Sequence, residues 1–255
     1  MLELNEKYIY AAFFNTNKQK IVKMKKLLMI ALLAVCLTAN AQDNNDNRNN
    51  RGHKDITLKD GDDDSWTMQL GVGVNLVAGA PDGYDFAPFK SWDIQWTLAQ
   101  YNYHPKGAKQ TYSVGVGLTW RNYGMKDNGY SLEKVNGTVE LGRFPANASS
   151  RSSRIRTLGI HVPLLFTQDL GKDFSFMVGP VVNFTTWGWA RNSYEVGDDD
   201  FSKSTRSIGQ RPVTVDIMGV IDYGGVGIYC KYSPMSVFKK GRGPEFRSVT
   251  LGLYL

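Results

Sequence analysis

The chain has 255 residues, 42% of them hydrophobic and 12% aromatic, and its 30 Lys+Arg against 24 Asp+Glu give a formal charge of +6. Six lysines and two glutamates fall within residues 1–41, so the remainder carries 24 basic against 22 acidic residues, net +2. The high charge is therefore mostly a leader effect and gives no argument for nucleic-acid binding.

The first element is a leader. Met24 and the positive Lys25-Lys26 precede an apolar run from Leu27 to Leu37, then Thr38-Ala39-Asn40-Ala41 before Gln42. That order predicts a secretory signal peptide at 24–41 ending in an A-x-A cleavage site. Residues 1–23 read as an upstream mis-start, and cleavage after Ala41 leaves 214 residues. Cys36 follows Leu33-Ala34-Val35, a loose lipoprotein box that lacks the small residue usual before the cysteine, so the Ala41 site fits better. Cys230 is then the only cysteine left, which rules out an intramolecular disulfide. No later apolar run approaches the ~18 residues of a membrane-spanning helix.

Residues 42–64 are rich in Asn, Asp, Arg and Gly and poor in large apolar side chains, which predicts a flexible tether that includes His53 and Asp62-Asp63-Asp64. Beyond it, at 65–255, strand character recurs in eight runs: about 66–77, 91–103, 111–123, 153–167, 174–189, 212–222, 225–236 and 246–255. The first alternates Trp66, Met68, Leu70, Val72, Val74 and Leu76 with Thr67, Gln69, Gly71, Gly73 and Asn75. Helical periodicity is absent. The connections alternate in length: short at 104–110, 168–173 and 223–224, mostly longer at 78–90, 124–152, 190–211 and 237–245. The fold class expected is all-β, an eight-stranded antiparallel up-and-down transmembrane barrel with short periplasmic turns and long outside loops.

Which face points out follows from the polar parity. In run 111–123 the residues opposite Tyr112, Val114, Val116, Leu118 and Trp120 are Ser113, Gly115, Gly117, Thr119 and Arg121. Small neutral residues with a few charges suit a narrow packed lumen; a wall facing water would be rich in Lys and Glu. The expected lumen therefore holds Asp93, Arg121 and His161, and a turn at Tyr223-Gly224 sets Asp216 opposite Lys231, or diagonal to it if the turn slips by one residue. Two aromatic belts are expected. Trp92, Trp120, Trp187, Trp189 and Phe238 make the outer one, and Trp66, Tyr112, Phe166 and Phe174 the periplasmic one. In run 91–103 the apolar parity switches at Tyr101 and Tyr103, which predicts a bulge near Ala99-Gln100 or strand exit there.

Chemistry-bearing patterns are sparse. Gly71-Val72-Gly73 and Gly224-Gly225-Val226-Gly227 complete no phosphate-loop motif and read as strand glycines. His161 points inward, away from lipid, and His53 and His104 lie outside the strands, so no catalytic residue, cofactor or metal set is expected. Asp198-Asp199-Asp200 lacks the spacing of a calcium loop. Lys239, Lys240 and Arg242 in the last loop are either a plain basic loop or a contact for lipopolysaccharide phosphates.

Leu158-Gly159-Ile160-His161-Val162-Pro163-Leu164-Leu165-Phe166, a short turn, and Phe174-Ser175-Phe176-Met177-Val178-Gly179-Pro180 resemble the PorT-like outer-membrane β-barrel family over about 65–255. The resemblance implies a small barrel in a Gram-negative outer membrane and carries no family-wide catalytic residues. Leu255 departs from the aromatic residue usual at the end of a last barrel strand, although Tyr254 precedes it. The function expected is a non-enzymatic anchor for outside loops, serving envelope structure, adhesion or docking of a partner such as a secretion system. Outer-membrane lipid and lipopolysaccharide are its surroundings. The alternatives are a soluble or periplasmic lipid-binding barrel and an outer-membrane lipid-modifying enzyme.

Overall fold

The computed structural model describes residues 58–59, 65–171 and 173–255. The expected leader, including Cys36, and most of the expected tether, including His53 and Asp62-Asp63-Asp64, lie outside those residues. Among the described residues there are twelve strands: β1 (Leu58–Lys59), β2 (Ser65–Ala78), β3 (Trp92–Tyr103), β4 (Gln110–Gly124), β5 (Tyr130–Val135), β6 (Thr138–Arg143), β7 (Ser149–Gly171), β8 (Phe174–Val196), β9 (Asp199–Arg206), β10 (Val213–Tyr223), β11 (Val226–Ser233) and β12 (Arg247–Tyr254). A single 3-10 turn, Pro88–Lys90, is the only helical element among the described residues.

Eight of these strands close a ring. Neighbours run β2-β12-β11-β10-β8-β7-β4-β3, and β3 pairs back onto β2, every pairing antiparallel. The seam is β12 on β2, from Arg247↔Ala78 to Tyr254↔Gly71, and Leu70 and Leu255 exchange two backbone hydrogen bonds below it. Closure leaves no unpaired edge in the ring. Each barrel strand coincides with one of the eight alternating runs, because period-two patterning and period-two side-chain direction are the same geometry.

The polarity is inverted relative to a water-soluble barrel. Val72, Val74, Val116, Leu118, Ile160, Leu164, Ile217, Ile228, Leu251 and Leu253 are exposed, while Gln69, Asn75, Asp93, Gln95, Thr97, Arg121, His161, Asn183, Asp216, Lys231 and Thr250 are buried. An exposed apolar surface running right around a ring far exceeds the patches that soluble proteins leave open.

Local irregularities have local causes. The register slips between Thr97 and Ala99, one residue before the expected bulge, and this lets Tyr101 join the outward face against Trp66 at 5.4 Å between ring centres. The β10–β11 turn is Gly224-Gly225, one residue later than the expected Tyr223-Gly224. Both glycines have positive φ (62° and 90°), a conformation that a two-residue hairpin turn needs and tyrosine resists. The two ends of the barrel differ. One carries links of two to six residues, and the other carries the stretches after β2, β4, β8 and β11.

Two features at the long-loop end had no alternation to announce them. The β5–β6 hairpin interrupts the stretch after β4, and β9 pairs β8 beyond the ring. β7 and β8 are 23 residues each, roughly 75 Å of chain at strand rise, so both project far past the barrel wall.

Candidate functional site

Inside the barrel, side chains form three layers. Nearest the short-loop end Leu165, Met177, Val181, Met218, Val220, Tyr229 and Tyr254 pack together. Glycine makes room for them: a Cβ on Gly73 would lie 2.6 Å from the Tyr229 hydroxyl. The sequence reading of a lumen of small neutral residues with a few charges missed this apolar layer.

The middle layer is charged. Asp93 and Arg121 are direct cross-strand neighbours, joined Oδ2 to Nε at 3.0 Å. Asp93 Oδ1 accepts from Lys231 Nζ at 2.9 Å, and Lys231 also donates to Gln95 Oε1 at 3.1 Å. Arg121 Nη2 donates to Asp216 and, at 3.1 Å, to Asn183 Oδ1, and Asn183 Nδ2 completes the triangle to Asp216 Oδ2 at 2.9 Å. Two acids and two bases cancel, as buried charges must. The expected direct pair of Asp216 with Lys231 is not formed. Register puts Lys231 opposite Met218, because of the one-residue shift of the turn, and each charge finds its ion-pair partner across the lumen instead. The cavity beside Arg121 and Asn183 is about 10 Å3, room for one water.

His161 belongs to this interior at 1% exposure. Gly117 sits between Thr97 and His161 in the register, and a Cβ there would lie 2.7 Å from the imidazole. Its absence lets His161 Nε2 meet Thr97 Oγ1 at 2.9 Å across the strand. The ring is thus held inside the wall, with no path to the apolar exterior. Among the described residues no group of three His, Cys, Asp or Glu side chains is arranged to hold a metal ion.

The third layer is a cap over the long-loop end. Tyr123, Met125, Leu132, Val139, Ile155, Ala190, Ile208, Phe238 and Phe246 form one buried cluster drawn from strand extensions and loops. Phe246 is its hub, 5.1 Å from Tyr123 and 4.9 Å from Phe86 between ring centres. The β5–β6 hairpin is pinned by Asn192, which accepts from Leu132 N at 3.1 Å and donates to Leu132 O at 2.7 Å. Phe238, assigned from sequence to the outer belt, is instead 0% exposed in this cap, because the chain has already left β11 and turned over the mouth. Lys239 and Lys240 follow it on the solvent side of the cap.

Outside, the remaining belt residues gather at the two rims of the apolar band. Trp92 and Trp120 pack edge to face at 5.2 Å, with Trp187 and Trp189 further round the same rim. At the short-loop rim Tyr112 packs on Phe166 at 5.5 Å, and Trp66 and Phe174 are exposed nearby. Cys230 is a free thiol on the outer face. Asp198 lies at the tip of the β8–β9 hairpin, while Asp199 and Asp200 pair with Val196 and Glu195.

The chain matches no family model and no curated protein. Among solved structures it is similar to Neisserial surface protein A (NspA), with a TM-score of 0.36 and 11% identity over 76% of this chain and 97% of that one. It is also similar to Ail, the attachment invasion locus protein of Yersinia pestis, with a TM-score of 0.32 and 9% identity over 74% of this chain and 97% of that one. Ail in complex with the heparin analogue sucrose octasulfate gives 0.35 and 10% over the same shares. At identities this low, function has to be read from this chain's own residues.

Proposed function

We propose that this protein is a non-enzymatic barrel of the bacterial outer membrane that anchors a capped set of outside loops for adhesion, envelope structure or docking of a protein partner. The observation that carries the reading is the inverted polarity: an apolar wall exposed all round the ring, enclosing a filled interior whose middle layer pairs its charges. In lipid every backbone group must be paired, and a closed ring satisfies that demand with strands alone. The two rims of aromatic residues suit headgroup level on either side of a bilayer. The short links then face the periplasm, and the cap, the β5–β6 hairpin and β9 face outward. A PorT-like ancestry fits the same reading.

The lumen filled by its apolar layer and its ion-paired layer argues against a pore and against the lipid-binding alternative. His161 inside the wall gives a lipid-modifying enzyme no reachable base. The test is fractionation followed by gel migration with and without boiling. Faster migration of the unboiled, detergent-extracted protein from outer membranes is expected, with no steady conductance in a planar bilayer. Recovery as a soluble periplasmic protein with no mobility shift overturns the reading.

A further inference from the structure

Just beyond the outer aromatic rim, the outward face carries arginines in register. One row of neighbours across the strands reads Ile94, Trp120, Leu158, Trp187. The next reads Trp92, Asn122, Arg156, Trp189, Arg206, and the one beyond reads Gly124, Arg154, Arg191, Ser204. Arg156 and Arg206 thus flank Trp189, and Arg154 lies directly opposite Arg191. Like charges in that position repel.

Their side-chain partners are neutral. Arg154 donates to Ser152 at 2.9 Å, Arg156 to Asn122 at 3.0 Å and Arg191 to Ser202 at 3.1 Å. Among the described residues none of the four arginines forms an ion pair, whereas Arg121 and Arg151 each have a carboxylate. Beside the row lies an open groove of about 610 Å3, with Leu158, Trp187 and Trp189 on one side and Arg206 and Gln210 on the other. The apolar part of that groove continues the lipid-facing wall, and the charged part begins where the aromatic rim ends.

We propose that Arg154, Arg156, Arg191 and Arg206 bind the phosphate groups of a phosphorylated glycolipid in the outer leaflet, with an acyl chain of the same molecule lying along Leu158 and Trp187. This deepens the outer-membrane reading above and rests on it. Guanidinium groups meet phosphate oxygens in pairs, with a geometry that lysine lacks, and the unmatched positive charge sits at the depth where lipid phosphates lie beside an aromatic belt. Lys239, Lys240 and Arg242, the basic cluster evident in the sequence, lie on the loop that covers the barrel mouth; Lys239 N donates to Gly209 O at 2.9 Å, but none of the three lines the groove.

The test uses the full barrel in phosphatidylcholine nanodiscs containing diphosphoryl lipid A or the same lipid stripped of its phosphates. Retained lipid per protein is read by mass spectrometry after detergent washing. Wild type should retain the phosphorylated lipid, and the Arg154→Gln/Arg156→Gln/Arg191→Gln/Arg206→Gln variant should retain about tenfold less or lower, the scale of losing a hydrogen bond to a charged group. The pair Arg154→Gln/Arg191→Gln, which leaves the Asn122 contact in place, should fall in between and serves if the fourfold variant does not fold. Lys239→Gln/Lys240→Gln/Arg242→Gln should match wild type. Equal retention by the arginine variants, or equal retention of the phosphate-free lipid, overturns the proposal while leaving the barrel reading intact. Failure of wild type to enter the disc overturns both.

Discussion

The two ends of this barrel are made from the same strands to opposite purposes. At the short-loop end β10 and β11 are joined by Gly224-Gly225 and β7 and β8 by two residues, and the lumen there is filled by Tyr229, Tyr254 and their apolar neighbours. At the outer end β7 and β8 run on past the wall, a separate hairpin docks on them through Asn192, and a second apolar cluster around Phe246 seals the mouth. One end only closes the ring; the other builds a surface. Between them the four-charge layer belongs to the wall, so the display end can vary without the barrel losing its interior.

That division can be broken at each level. The largest effect is expected from Arg121→Ala, which takes the ion-pair partner from Asp216 and leaves Asp93 with Lys231 alone. Breaking a buried pair this way costs about 3–5 kcal/mol, and a urea titration followed by heat-dependent gel migration should find the barrel unfolding at markedly lower denaturant. Phe246→Ala removes the hub of the cap, where loss of a buried phenylalanine costs about 3–5 kcal/mol, but the loss should be local. Protease should then cut the outside loops of a barrel that still migrates as folded. If the gel shift disappears as well, cap and wall are a single cooperative unit. Val116→Arg places a charge on the lipid face, with a cost of about 2–4 kcal/mol at mid-bilayer, read as lowered refolding yield into vesicles. The same substitution in a soluble protein with water at that surface would be close to neutral. The smallest change is Gly225→Ala, where a Cβ at φ 90° costs on the order of 1 kcal/mol and should slow refolding without altering the final state.

The wall was legible because alternation encodes it directly: from Ser65–Ala78 to Arg247–Tyr254, each strand alternates apolar and polar residues with the period of its own backbone. Contacts across the lumen were not. Lys231 was assigned to Asp216 by counting back from a turn, but its partner is Asp93, 138 residues away in sequence, brought close only by closure of the ring. The cap was missed for another reason. Phe238 and Phe246 flank a stretch with no period, and aromatic residues in such a stretch look the same whether they meet lipid or each other. β9, DDFSKSTR, is exposed on both faces over most of its length, so no alternation existed to detect. The arginine row was equally hidden: its members come from three strands, and only register places Arg156 and Arg206 either side of Trp189.

The seam between β2 and β12 has a consequence for the order of events in the cell. Thr250 Oγ1 donates to Asn75 Oδ1 at 2.6 Å across 175 residues of sequence, so the ring cannot close until nearly the whole described chain is in hand. Contacts of such long range are slow to form. During that interval every strand carries its oily face without a solvent suited to it, and two open edges wait for each other. The rate at which β12 finds β2 therefore sets how long those edges and apolar faces stay uncovered.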